Sequence, residues 1–155
     1  MAFLTEQSHI VNGIVPLADA FSGTVNSDIV NCEGYHNVRF IYYKGVGVTG
    51  TSTLTCVPCD DASASNVGTA VNFRYTNISS TDVAPAIANA ATIGTTAGSN
   101  GMTIIDVDCD ELAASGYSYC YLACVELVDS PVLGGVLIEL YNPRVSSEAS
   151  GTVLT

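Results

Sequence analysis

Positive charge is what this sequence has least of. Lysine and arginine together number four in 155 residues, against fifteen aspartates and glutamates, so the formal net charge is −11. Proteins that bind nucleic acid neutralise phosphates with lysine and arginine, and anionic membrane surfaces attract the same residues. The composition therefore argues against both partners, since the cations are limited to Arg39, Lys44, Arg74 and Arg144.

The sequence has no tryptophan and only two histidines, His9 and His36. Neither histidine stands in a nucleophile-elbow or metal-binding motif, and Lys44 precedes its glycines instead of following them as a phosphate loop requires. Asp60 and Asp61 form a carboxylate pair of the kind used in glycoside hydrolysis. Because no tryptophan is present to stack a sugar, a polar turn is the better interpretation. We expect no enzymatic activity.

The sequence also shows no pattern typical of a targeting segment or a membrane-spanning segment. Residues 1–6 contain no lysine or arginine, and polar residues interrupt them before an apolar core of signal-peptide length develops. The longest uncharged stretch, residues 83–105, is long enough to cross a bilayer. It contains proline, several glycines and asparagines, which a lipid-facing helix does not tolerate. We expect no insertion into a membrane.

What the sequence does have is the composition of an all-β protein. Valine, isoleucine and threonine are abundant, and glycines interrupt them at short intervals. The glycine-rich segment 45–50 predicts a turn that joins its two neighbouring strands as a hairpin. Seven or eight strands at this spacing predict a single-domain β-sandwich, for which a jelly roll is one fitting topology. The predicted strands are residues 37–44, 51–57, 70–75, 102–107, 117–128 and 132–141.

Short helical turns and extended terminal arms are expected outside these strands. Residues 110–116 begin with two acidic residues and end with glycine, which predicts one helical turn. Residues 80–82 predict the cap of a second short helix over residues 83–91. The domain then divides into an amino-terminal arm (1–20), a core (21–144) and a carboxyl-terminal tail (145–155).

The cysteines are the first candidates for a metal or redox site. The spacing of Cys56 and Cys59 with Cys120 and Cys124 superficially resembles a zinc site. Both pairs fall in predicted strands, however, whereas zinc knuckles place Cys-x-x-Cys on a tight turn, so thiols buried in the sheet are the favoured interpretation. One or two disulfides remain an alternative. The six cysteines are Cys32, Cys56, Cys59, Cys109, Cys120 and Cys124.

Three alternating aspartates, Asp106, Asp108 and Asp110, resemble the start of a calcium loop. The EF-hand pattern fails, because Glu111 occupies the position of its glycine and Tyr117 that of its closing glutamate. The favoured interpretation is an exposed acidic edge that leads into a helix cap. Calcium remains an alternative, because clustered carboxylates repel one another until a cation screens them.

Several short segments stand out together between Phe21 and Arg144: residues 45–55, 59–61, 73–75, 96–100, 105–108, 111–113, 116–117 and 129–135. Their order resembles small structural proteins encoded in the head modules of tailed bacteriophages and prophages. The resemblance implies a structural virion protein that is assembled in the host cytoplasm. It would act as a cement or decoration protein on the outer capsid surface. Cys56 and Cys120 depart from the family pattern, so no metal or redox role is carried over.

The same resemblance implies two partners, the major capsid protein and further copies of the chain. We expect a homo-oligomer, with a trimer favoured because capsid lattices offer threefold positions. The amino-terminal arm or the tail after Arg144 would reach the shell. The acidic balance favours the outer face, away from packaged DNA.

A receptor- or carbohydrate-binding head-fibre module is the alternative function. Period-2 geometry places Tyr117, Tyr119 and Tyr121 on one face of a strand, where they would bind a glycan together with the cluster over residues 106–110. The simpler interpretation of these tyrosines is packing at a sheet face or a subunit contact.

Overall fold

The computed structural model describes residues 7–47, 49–78 and 87–145, and their regular secondary structure is almost entirely β, with one short helix. This confirms the predicted all-β sandwich. The elements are β1 (Ser8–Leu17), β2 (Thr24–Asn26), β3 (Val30–Asn31), β4 (Tyr35–Lys44), β5 (Thr51–Cys59), β6 (Phe73–Ile78), β7 (Ala88–Ala90), β8 (Thr92–Gly94), β9 (Met102–Asp108), α1 (Cys109–Ala114), β10 (Tyr119–Val128) and β11 (Gly134–Pro143).

The strands form two antiparallel sheets with a jelly-roll topology. The six-stranded sheet has the order β1-β11-β4-β9-β6-β7, and the five-stranded sheet has the order β2-β10-β5-β8, with β3 also paired to β10. Four pairs are nested along the chain: β1 with β11, β2 with β10, β4 with β9, and β5 with β8. The resulting ribbon wraps so that β11 pairs with β4 and β10 with β5, which is the jelly-roll arrangement.

One core lies between the two sheets, and the alternation of side chains along the strands creates it. In β10 the side chains of Cys120, Leu122 and Cys124 point inward and are buried, as the period-2 pattern predicts. Phe40 and Tyr42 of β4 contribute large side chains to the same core from the six-stranded sheet. Both sheets therefore present their opposite faces outward.

The predicted hairpin over residues 37–57 is wrong. Its two strands, β4 and β5, lie in different sheets, and residues 45–50 carry the chain from one sheet to the other. The glycines serve close packing in this crossing: a Cβ on Gly50 would lie 2.3 Å from Val132 Cγ2 and 2.6 Å from the Ser130 carbonyl oxygen. The sequence shows the glycines but not which segment they approach.

The predicted amino-terminal arm over residues 1–20 does not hold for residues 8–17. These residues form β1, which pairs with β11 at the edge of the six-stranded sheet, and Ile14 belongs to the core. The reason is alternation: the strand directs Val11 toward the core side and Ile10 away from it. Residues 1–6, and residues 146–155 of the predicted tail, lie outside the described residues.

The predicted helical turn over residues 110–116 is confirmed as α1. Asp108 caps it by accepting a hydrogen bond from the Asp110 amide at 2.8 Å, and Gly116 follows it with φ +86°. The second predicted helix, over residues 83–91, is wrong at residues 88–90, which form β7, while residues 79–86 lie outside the described residues. Within the described residues, no helix is long and apolar enough to span a membrane.

The sandwich has two ends of different character. The α1 end carries the helix, the loop over residues 60–72 and Arg144. The opposite end, called here the loop end, carries the segments 45–47, 49–50, 95–101 and 129–133.

Candidate functional site

All six cysteines are buried and free, and Cys56, Cys59, Cys120 and Cys124 confirm the interpretation of thiols packed in a sheet, whereas Cys32 follows β3 and Cys109 begins α1. The Sγ atoms of Cys32 and Cys120 are 3.6 Å apart, too far for a disulfide bond. Burial raises the pKa of the Cys124 thiol to about 12 and, together with Asp60 and Asp61, that of Cys59 to about 11. A buried thiol with a raised pKa is a poor nucleophile and a poor metal ligand.

The three aspartates of the candidate calcium loop do not converge on one point, because each has a different partner. Asp106 accepts a hydrogen bond from Arg39, Asp108 caps α1, and Asp110 contacts His36 and Arg144. Hydrogen bonds from His36 and Arg144 lower the pKa of the Asp110 carboxyl. In the described part of the chain, no group of three or more His, Cys, Asp or Glu side chains is placed to hold a metal ion.

Asp60 and Asp61 form the expected polar turn. The Asp61 Oδ1 atom accepts hydrogen bonds from the amides of Ser63 and Ser65, at 2.8 and 3.1 Å, and Asp60 accepts one from the Asn66 amide. A hydrogen bond from the Ser65 side chain, together with those from the Ser65 and Ser63 amides, lowers the pKa of the Asp61 carboxyl. Both carboxylates therefore organise the loop, which accounts for their presence without catalysis.

The tyrosines and the aspartates of the candidate glycan site lie on opposite sides of the molecule. Tyr119 and Tyr121 share the outer face of the five-stranded sheet, whereas Asp106 lies on the outer face of the six-stranded sheet. Tyr117 precedes β10, and its ring lies over Gly68, where a Cβ would be 2.5 Å from Cε2. The predicted glycan constellation is therefore not assembled.

The outer face of the six-stranded sheet carries a row of four alternating charges, which we call the charge row. Register places Glu139 opposite Arg39, Arg39 opposite Asp106, and Asp106 opposite Arg74. Arg39 Nε donates to Asp106 Oδ1 at 2.7 Å, and Nη1 donates to Glu139 Oε2 at 3.4 Å. Among the described residues, Arg74 has no ion pair. The row thus ends in an exposed cation that forms no ion pair with any described residue.

Tyr141 supports the centre of the charge row. Its hydroxyl donates to Asp106 Oδ1 at 3.1 Å, and the Arg39 guanidinium lies 4.8 Å from its ring centroid. Burial and the Asp106 charge raise the pKa of Tyr141 to about 12, and the hydrogen bond with Asp106 raises the pKa of Arg39. A groove of about 680 Å³ opens beside this network and includes Arg74, Asn37 and Glu111 in its lining. It can engage a polar surface of mixed charge.

The sequence reasoning missed the charge row because its members are dispersed over a hundred residues of the chain. The available signal is a charged residue at an outward position in each of four strands. The order of the strands in the sheet aligns these charged residues, and the sequence pattern does not reveal that order. Lys44 was missed in another way: it is 3% exposed and its Nζ donates to the Thr96 carbonyl oxygen. Burial lowers its pKa.

The loop end carries several exposed apolar side chains, and we call the surface that these side chains form the apolar end. Val46 is 67% exposed and Leu17 is 57% exposed. Their segments are joined, because the Leu133 amide donates to the Val46 carbonyl oxygen at 2.9 Å and Leu17 pairs with Gly134. The exposed apolar side chains of the apolar end are Val46 and Leu133 in its loops, Val15 and Leu17 at the end of β1, and Leu127 and Val128 at the end of β10.

Comparison with known proteins finds a weak structural neighbour and no matching family model. No protein-family model matches the chain. No curated protein matches it. Among solved structures it is similar to the prophage-derived protein YomS of SPBc2, with a TM-score of 0.46 and 11% identity over 85% of this chain and 88% of that chain. The neighbour is thus a phage-derived protein of distant similarity.

Proposed function

We propose that the protein is a structural virion protein of a tailed phage. In this role it is a cement or decoration protein on the outer surface of the head, where it stabilises the shell through contacts with the major capsid protein and with copies of itself. The resemblance of its sequence segments to phage head proteins supports this assignment, and the jelly roll is frequent among viral capsid domains. Because a fold hosts many functions, the argument depends on the surface.

The observation that carries the proposal is the polarity between the two ends of the sandwich. Six carboxylates lie at the α1 end, in the loops and the helix around it: Glu33, Asp60, Asp61, Asp108, Asp110 and Glu111. The loop end carries fewer carboxylates, Asp19, Glu126 and Asp129, and more exposed apolar side chains, six against Val67 and Val145 at the α1 end. Isolated exposed apolar residues are ordinary, but several in neighbouring segments indicate a surface that is covered in the assembled state.

This polarity favours one orientation on the shell. Docking the apolar end on the major capsid protein removes apolar surface from water, which stabilises the complex by about 25 cal/mol per Å². The acidic α1 end then faces solvent. Contact with packaged DNA would oppose like charges, so the outer surface of the shell is the favoured location.

The placement of β1 changes which segment attaches to the shell. A chain without residues 1–16 would lose most of β1, so its failure to bind capsids would report unfolding instead of a lost arm. The apolar end is a better candidate for attachment. It combines two loop residues, Val46 and Leu133, with strand ends, and exposed loop side chains such as Val46 can be exchanged at low cost to the fold.

The first experiment measures stoichiometry in purified virions. Quantitative mass spectrometry of gradient-purified particles should give a copy number comparable to that of the major capsid protein, and antibody labelling should lie on the head. Recovery of a few copies per particle, or labelling on the tail, would overturn the proposal. Labelling restricted to head fibres would favour the receptor-binding alternative instead.

The second experiment tests the apolar end with a matched pair of substitutions. Val46→Glu places a charge at the loop end, whereas Val67→Glu makes the same change at a 49% exposed valine of the α1 end. We expect Val46→Glu to weaken binding to undecorated capsids by about tenfold or more, because charge at the centre of an interface must be desolvated. Val67→Glu should bind normally. Equal binding by both variants would contradict the proposed orientation.

A further inference from the structure

The outer face of the six-stranded sheet, which no other described segment covers, is unusually apolar for an uncovered sheet face. Beside the charge row, toward the loop end, register aligns Leu137, Ile41 and Ile104. The next outward row contains Tyr43 and Met102. Leu137 is 43% exposed and Tyr43 is 53% exposed. Antiparallel sheets that face water on one side normally alternate apolar inside with polar outside, so these two rows depart from the expected pattern.

We propose that this face binds the same face of a second copy of the chain, in a two-fold symmetric dimer. The axis runs parallel to the strands and passes between Arg39 and Asp106. The two-fold rotation about this axis reverses the order of the charge row across the sheet. Each residue keeps its position along the strand direction. Arg39 then faces Asp106 of the second copy, and Glu139 faces Arg74, while the apolar rows meet each other.

The order of the charges in the row makes a second copy of the chain the complementary partner. The row reads negative, positive, negative, positive from β11 to β6, so its reversed copy presents the opposite sign at every position. A row of this kind is complementary to itself, as a two-fold interface requires. It also supplies Arg74, which has no ion pair among the described residues, with the Glu139 carboxylate of the second copy.

The charge row also excludes a two-fold axis that runs along the row, perpendicular to the strands. An axis along the row would place Glu139 on Glu139 and Arg39 on Arg39, and it would set the apolar rows against the polar rows at the α1 end. Directly opposed like charges are destabilising. The sheet face therefore specifies the direction of the axis as well as the partner.

Net charge and area both agree with self-association at this face. Copies with a net charge of −11 repel one another, but the charge row is formally neutral and holds two of the four lysine and arginine residues. Six strands at about 4.8 Å spacing make a face about 24 Å wide. With strands about 25 Å long, its footprint is about 600 Å² before side-chain relief is added, close to the roughly 800 Å² per partner of a standard interface.

The test is sedimentation equilibrium of the full chain, which should show a dimer at micromolar concentration. Arg74→Glu should raise the dimer dissociation constant at least about tenfold, because the introduced carboxylate would then face Glu139 of the second copy. Arg74 is exposed and unpaired in the described chain, but register sets it opposite Asp106, so its replacement by glutamate should leave the circular dichroism spectrum unchanged and lower Tm only slightly. Arg144→Glu is the matched control: it changes net charge equally but lies at the α1 end, and it should remain dimeric.

A mixing experiment checks the pairing itself. Arg74→Glu and Glu139→Lys should each be monomeric alone, and an equimolar mixture should form a heterodimer, because each altered side chain then meets the opposite charge. A monomeric or trimeric wild-type chain, a fully dimeric Arg74→Glu variant, or a mixture of folded variants that stays monomeric would overturn the proposal. These outcomes concern the dimer: a trimeric chain would agree with the threefold oligomer expected for a capsid lattice, and binding to the major capsid protein is tested separately by the particle stoichiometry.

Discussion

Arg39 and Tyr141 converge on a single oxygen atom. The guanidinium donates to Asp106 Oδ1 at 2.7 Å, the phenol donates to the same atom at 3.1 Å, and the guanidinium lies 4.8 Å from the phenol ring centroid. Three neighbouring strands, β11, β4 and β9, are thereby connected on their solvent side. The contact gives the outer face of the sheet a fixed arrangement before any partner binds.

Replacing the shared acceptor should therefore destabilise the protein. Asp106→Asn keeps the shape of the side chain but removes the negative charge that accepts hydrogen bonds from Arg39 and Tyr141. We expect the free energy of unfolding to fall by about 1 kcal/mol, because partial exposure screens the pair. Urea denaturation measures the change. Asp129→Asn, at an exposed loop position, should have almost no effect, and equal losses in both variants would contradict the role of the network.

The raised pKa of Tyr141 predicts a loss of stability at alkaline pH. The neutral phenol is favoured in the folded state up to a pKa of about 12, whereas an unfolded tyrosine ionises near about 10. Its contribution is fully present below about pH 10 and is lost as the pH rises toward 12. Spectrophotometric titration should show one fewer late-ionising tyrosine in Tyr141→Phe. An unchanged titration curve would contradict the assignment.

The buried thiols should resist alkylation in the folded protein. Burial raises the pKa of Cys124 to about 12, so little thiolate forms at pH 8, and the side chains are out of reach of the reagent. Mass spectrometry after iodoacetamide treatment should find the cysteines unmodified in the native chain and modified in urea. An added exposed cysteine, Ala62→Cys, should react quickly under native conditions. Fast native labelling of the original cysteines would contradict the burial.

Gly50 should not tolerate a side chain. A Cβ there would lie 2.3 Å from Val132 Cγ2 and 2.6 Å from the Ser130 carbonyl oxygen, so Gly50→Ala should cost about 1–3 kcal/mol through overpacking. The matched control is Gly94→Ala, since no atom lies within 4 Å of a Cβ at Gly94. Thermal unfolding should separate the two variants. A Gly50→Ala variant as stable as the control would show that residues 45–50 can move away from the segment they cross.

The sequence predicts the local part of this structure well and the long-range part poorly. Inward positions such as Leu122 follow from alternation alone, and the Asp108 cap follows from acidic residues before a short apolar run. The path of residues 45–50 does not follow, because the same glycines suit a hairpin turn and a crossing between sheets. The charge row is hidden for a similar reason: Arg39 and Asp106 become neighbours only when β4 pairs with β9.

The nested pairing of the strands has a consequence for how the protein is made. β4 lies between β11 and β9, and the ribosome synthesises both of these strands long after β4. β1 pairs only with β11, which is the last of the described strands. Contacts of such sequence separation are slow to form. A nascent chain that stops before residue 134 would leave one edge of β4 and all of β1 unpaired, and unpaired edges promote aggregation. The six-stranded sheet can therefore close only after β11 has left the ribosome.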